Sequence, residues 1–178
     1  MVQKLKESSN KILQDINQGK IFLMDAATGT FLQNNGLEAG GCPELMNIES
    51  PEIISKMAHN YFSSGSDIVL TNTFGGTYYR LKHYGLEDKV IEINKLAAEI
   101  AKKASKDYEN KYVFGSIGPT GEFIEPLGNV SESEMYDCLY NQTVSYTHLR
   151  AQETPEHVVW RRVLEKKKWG GGGGGGGG

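Results

Sequence analysis

The chain has 178 residues, of which 38% are hydrophobic, and a formal net charge of −3. That balance suits one globular domain and offers nucleic acid no basic footprint. The N-terminal residues lack the continuous apolar stretch of a signal peptide and no apolar run is long enough to span a membrane, so the cytoplasm is the expected location. The two cysteines, Cys42 and Cys138, are far apart in sequence and have no CxxC-type partner, which fits a reducing compartment.

Residues 4–18 carry Leu5, Ile12, Leu13 and Ile16 at helical spacing, with Gly19 as a stop. Ile21, Phe22, Leu23 and Met24 read as a strand buried on both faces. Asp25 ends that strand, and the small residues Ala26, Ala27, Thr28, Gly29 and Thr30 follow. A carboxylate next to free backbone N–H groups can hold a zwitterion, the acid facing an ammonium and the N–H groups a carboxylate. Turn capping by the same aspartate is the competing reading. Residues 31–36 read as one helical turn and residues 37–48 as loop.

Ser50, Pro51 and Glu52 predict a helix start with a serine cap, carried on by Ile53, Ile54, Met57, Ala58, Tyr61 and Phe62 and stopped at Gly65. Ile68, Val69 and Leu70 form a second short strand, and a polar loop runs from Thr71 to Gly76. Thr77 caps a short helix through Leu81. A long helix spans about residues 87–106, with Lys102, Lys103 and Lys106 complementing the dipole at its end. Residues 112–117 form a third strand, left by Gly118, Pro119, Thr120 and Gly121. Ser131 and Glu134 make a capping box that opens a fourth helix through Tyr136 and Leu139. The alternation predicts a parallel sheet with helices outside it. In such folds chemistry collects at the carboxyl ends of strands, where all three polar loops fall.

Four motifs in order resemble the homocysteine S-methyltransferase family. They are Met24 to Thr30, Cys42-Pro43-Glu44-Leu45-Met46-Asn47, Gly65 to Gly75, and Gly115-Ser116-Ile117-Gly118-Pro119-Thr120-Gly121. Arg80-Leu81 and residues 84–90 fit as well. Within the family the likeness is to the N-terminal homocysteine-binding module of cobalamin-dependent methionine synthase, and it covers residues 4–142.

The resemblance implies an α/β fold, the N-terminal part (about three βα units) of a (β/α)8 TIM barrel. It implies a methyltransferase that passes a methyl group to the zinc-bound thiolate of homocysteine to make methionine. Asp25 matches the acid that takes the substrate's amino group, and the backbone of Ala26, Ala27 and Thr28 the place of its carboxylate. Asn72 and Thr73 line the same mouth. Homocysteine is the implied substrate and methylcobalamin the favoured methyl donor, with a methylsulfonium or a betaine as alternatives. Cobalamin is a cofactor of the intact protein on this reading. The family's three zinc-binding cysteines lie on later strands, as an Asn-Cys pair and a Cys-Cys pair, and this chain has neither. Cys42 and Cys138 match no ligand position, so no catalytic or metal residue is assigned, and the chain is expected to be an incompetent fragment of an enzyme. Two rival classes remain: another barrel enzyme, such as an aldolase or a pterin-dependent methyltransferase, and a non-catalytic amino-acid-binding fragment working through Asp25.

The residues after Gln142 read differently. From Val144 to Thr154 the sequence resembles the translation of a transposase-type sequencing adapter, with Gln152 standing where the adapter encodes histidine. Residues 158–166 follow the adapter's continuation, each departure needing one base changed to G, and a run from Gly170 to Gly178 ends the chain. Residues 1–142 are therefore expected to be the native partial domain. Residues 143–178 are expected to be a disordered, non-native tail rather than a basic arm with a flexible linker. Six basic against three acidic residues give that tail +3, so −6 of the total −3 belongs to the rest. His148, His157, Trp160 and Trp169 are accordingly not proposed as ligands or stacking residues.

Overall fold

The computed structural model describes residues 11–147; the start of the first predicted helix and the tail from His148 onward lie outside them. Residues 11–17 are helical (α1). Ile12 on α1 is buried against Ile68 and Tyr112.

The sheet has two strands of three residues, β1 (Ile68–Leu70) and β2 (Tyr112–Phe114), parallel, with Ile68 opposite Tyr112 and Leu70 opposite Phe114. Met24 joins as a single parallel bridge to Ile68. Leu23 N–H donates to Asp67 Oδ2 at 3.0 Å, and Leu23 O accepts from Asp67 and Ile68 N–H. Residues 23–25 thus run beside β1, but they do not form the predicted two-face-buried strand. Ile21 is 83% exposed, Leu23 60% and Met24 49%. A four-residue apolar run becomes a buried strand only when something covers both of its faces. Here Phe22 meets Tyr112 edge to face at 5.9 Å, while no other described element covers Ile21 and Leu23.

The helices are α2 (Thr28–Asn34), α3 (Met46–Glu49), α4 (Pro51–Ser63), α5 (Tyr78–Lys82), α6 (Val90–Ser105) and α7 (Glu132–Thr147). Helices α4 and α6 cover one face of the sheet, where Ala58, Phe62, Ala101 and Ala104 bury Val69 and Val113. Small residues on α6 let it approach both the sheet and α7 closely. The Ser131–Glu134 capping box forms in full, with Ser131 N–H donating to Glu134 Oε2 at 2.8 Å and Glu134 N–H to Ser131 Oγ at 3.2 Å. Thr77 caps α5 by accepting from Arg80 N–H.

Other expectations change. Ser50 precedes α4, but its hydroxyl makes no cap hydrogen bond. The stretch 37–48, expected to be loop, contains a 3₁₀ turn (Pro43–Leu45) and α3. The long helix starts at Val90, after a separate 3₁₀ turn (Glu87–Lys89). The third strand ends at Phe114 rather than at residue 117. Helix α7 runs five residues past Gln142, to Thr147.

Candidate functional site

Asp25 leaves the sheet beside the C-terminal end of β1. Its N–H donates to Ile68 O at 3.0 Å and its Oδ2 accepts from Leu70 N–H at 3.0 Å. Its Oδ1 is shielded from solvent and has no partner among the described residues. Burial lifts the carboxyl from 3.8 to about 6, against the bond from Leu70 N–H, which favours the ionised form. The chain then turns through Ala27, at φ 49°, ψ 33°, a left-handed conformation that costs a residue with a Cβ about 1–2 kcal/mol. That turn starts α2 and leaves the N–H groups of Ala26, Ala27 and Thr28 without an acceptor among the described residues. Tyr61 Oη donates to Ala26 O and steadies the turn from α4.

The opposite wall comes from two loops. Asn72 is buried; its Nδ2 donates to Pro43 O at 2.7 Å and to Asn47 Oδ1 at 3.2 Å. Asn47 Nδ2 returns a bond to Asn72 O at 2.8 Å. Thr73 is fully buried, and its hydroxyl is spent on the fold. It donates to Ser116 O at 2.8 Å, pairs with Thr71 Oγ1 at 2.7 Å and accepts from Tyr146 Oη at 2.8 Å.

Between these walls lies a cavity of about 390 Å³, within the range of small-molecule clefts. All six residues expected from the sequence, Asp25, Ala26, Ala27, Thr28, Asn72 and Thr73, line it. Glu44, Phe74 and Ser116 line it too, and no role had been read for them from the sequence. Asp25 and Glu44 are its charged lining residues, so the cavity is acidic. Phe74 stands 61% exposed and lies over Gly118, whose N–H donates to Phe74 O at 2.8 Å. A Cβ at Gly118 would come within 2.6 Å of that oxygen, so only glycine admits this contact.

The residues present do not fit zinc. Among the described residues no three His, Cys, Asp or Glu side chains cluster as a metal site. Cys42 Sγ instead donates to Glu44 Oε2 at 3.5 Å, and burial, with the Glu44 charge, pushes this thiol up to about 11. Cys138 is buried on α7.

The model of the homocysteine S-methyltransferase family matches residues 22–154. The chain belongs to that family. It is 31% identical over 138 residues to methionine synthase of Mycobacterium tuberculosis, covering 71% of this chain and 11% of the relative. The Mycobacterium leprae methionine synthase is 32% identical over 131 residues, covering 67% of the chain and again 11% of the relative. The chain thus spans about a tenth of the length of these curated relatives. In structure it is similar to the homocysteine methyltransferase MmuM from Escherichia coli. The TM-score is 0.60 for the oxidized form, at 21% identity over 72% of this chain and 49% of that one. It is 0.62 for the metallated form, at 19% identity over 76% and 53%. The likeness shows a shared mixed α/β fold over about half of that structure. No helix among the described residues is long and apolar enough to cross a membrane.

Proposed function

We propose that this chain is the amino-acid-binding part of a homocysteine S-methyltransferase of the methionine synthase type, built as the first βα units of a (β/α)8 barrel. The supporting observation is the Asp25 carboxyl: half-buried, raised to about 6, with one oxygen held by Leu70 and the other without a partner among the described residues. A buried carboxylate short of partners is what a ligand ammonium stabilises best. The unclaimed N–H groups of Ala26, Ala27 and Thr28 then take the ligand's carboxylate. Asn72 supplies Oδ1, and Thr73 supports the wall without touching the ligand. The acidic lining favours a ligand whose amino group is charged.

On this reading the chain binds and orients homocysteine and does not by itself activate its sulfur. Zinc and a methyl donor, methylcobalamin on the likeness to methionine synthases, belong to the whole protein and not to these residues. The two unpaired, buried thiols suit the cytoplasm. Residues 143–178 are proposed to be adapter-derived, and resequencing the source DNA beyond the Gln142 codon tests this; recovery of the same codons from an independent clone would overturn it. Calorimetry with L-homocysteine in metal-free buffer tests the site. Binding by the unsubstituted chain, abolished in Asp25→Ala, is expected; no binding, or equal binding by the variant, refutes the assignment.

A further inference from the structure

Glu44 is 5% exposed, and glutamate is almost never buried to this degree unless paired. Among the described residues no cation forms an ion pair with it. Its Oε1 accepts from Gly75 N–H at 2.7 Å, and its Oε2 accepts from the Cys42 thiol. At Gly75 a Cβ would lie 2.9 Å from Glu44 Oε1 and 3.2 Å from Oε2, so a side chain there would push the carboxylate away from the loop after β1.

We propose that Glu44 is a positioning residue of the cavity: its buried carboxylate clamps the 72–75 loop to the 43–47 segment and so sets where Phe74 and Asn72 stand. This rests on the reading of the cavity as a homocysteine site. Four hydrogen bonds join the two segments: Gly75 N–H to Glu44, Asn72 Nδ2 to Pro43 O and to Asn47 Oδ1, and Asn47 Nδ2 to Asn72 O. Three of them hold Asn72. The Glu44 bond is the one that reaches the far end of the loop, next to Phe74, which Gly118 N–H holds from the other side, and it is the charge-assisted one of the four. Cys42 keeps its proton at neutral pH and so remains a donor to the carboxylate's other oxygen. The clamp needs an acceptor at this point, and a neutral amide oxygen can supply one.

The test uses the full chain, ¹⁵N-labelled, unsubstituted and as Glu44→Gln, Glu44→Ala and Gly75→Ala. Amide exchange at Gly75 and calorimetric affinity for L-homocysteine are read together. In Glu44→Ala, Gly75 exchange rises about tenfold or more and homocysteine affinity falls about tenfold, the size of one lost charged hydrogen bond. Glu44→Gln restores both to within about threefold, because the amide oxygen still accepts from Gly75 N–H. Gly75→Ala loses affinity as Glu44→Ala does, and decides the matter if the latter does not fold. Unchanged Gly75 exchange in Glu44→Ala overturns the proposal. So does a Glu44→Gln variant as impaired as the alanine, which would make the charge itself the ligand contact. If the unsubstituted chain binds no homocysteine, the site assignment fails on its own, and Gly75 exchange still decides whether Glu44 clamps the loop.

Discussion

If Asp25 grips an ammonium, homocysteine binding must follow the ionisation of one carboxyl near pH 6. The free carboxyl titrates at about 6, so it is about 90% ionised at pH 7 and about 9% at pH 5. The ligand's ammonium and carboxylate keep their charges over that range. Affinity should therefore be about tenfold weaker at pH 5 than at pH 7, approaching a further tenfold per unit below that. Asp25→Asn keeps an oxygen for Leu70 N–H but carries no charge. Its affinity should be at least tenfold lower at pH 7 and flat from pH 5 to 7. Stability of the free chain runs the opposite way. A folded pKa above the unfolded value means that this group's favourable contribution is present below about pH 3.8 and is lost as pH rises through about 6. Asp25→Asn should then raise the melting temperature of the free chain at pH 7 while lowering the increase produced by homocysteine. Calorimetry across pH, paired with thermal melts with and without ligand, reads both effects. A pH-independent affinity in the unsubstituted chain, or an asparagine variant that binds equally well at pH 7, would refute the role.

Thr73→Val removes a hydroxyl bonded to Ser116 O, Thr71 and Tyr146 and should destabilise the fold by about 2 kcal/mol in urea unfolding; a change below about 0.5 kcal/mol would show the network to be dispensable. The bond from Leu23 N–H, then Lys111, holds the Asp67 carboxyl below its usual range. Its contribution is present above pH 3.8 and lost as pH falls through the lowered folded value. Asp67→Ala should cost about 1 kcal/mol or less, because this side chain stays in contact with water, and should speed amide exchange at Leu23; unchanged exchange there would remove Asp67 as the anchor of the first segment. With Ile21 83% and Leu127 86% exposed, the chain should self-associate in sedimentation velocity, and Ile21→Lys with Leu23→Lys should reduce this. A monodisperse monomer at all concentrations would contradict it. After incubation with zinc and buffer exchange, the chain should retain well under one equivalent of metal, and a stoichiometric complex would mean that ligands outside residues 11–147 had been misjudged.

Elements whose signals are local are legible in the sequence. Pro51 at the first helical position and Ile54, Met57, Ala58 and Phe62 on one face define α4, and Ser131 with Glu134 needs only three residues to close its box. Residues 21–24 read as a buried strand and are not one, because apolarity says what a strand needs, not whether anything covers it. Helix α3 went unseen because four residues are too few to show a period. Asp25 was legible as an acid where an apolar run meets a small-residue turn. Glu44 was not, since its partner Gly75 is 31 residues away and no spacing rule links a glutamate after a proline to a glycine in a later loop.

The cavity separates polar groups already bound from those still unbound, and that division orients the ligand. Thr71, Thr73, Ser116 and the Asn72 amide nitrogen are engaged with one another or with Pro43 and Asn47. Drawing any of them to a ligand would break a buried bond and return little net gain. Asp25 Oδ1 and the N–H groups of residues 26–28 have no partner among the described residues and sit together on one stretch of chain. They carry opposite polarity, as the two ends of an amino acid's zwitterion do. A bound amino acid therefore places its charged end at Asp25–Thr28, and its side chain falls to the remaining lining, Pro43, Leu70, Phe74 and Ser116, with Glu44 beside them. Both Glu44 oxygens are already bound, to Gly75 and Cys42, so this lining offers mainly apolar contact and a negative charge that repels a carboxylate, which suits a methylene chain ending in sulfur better than one ending in a carboxylate.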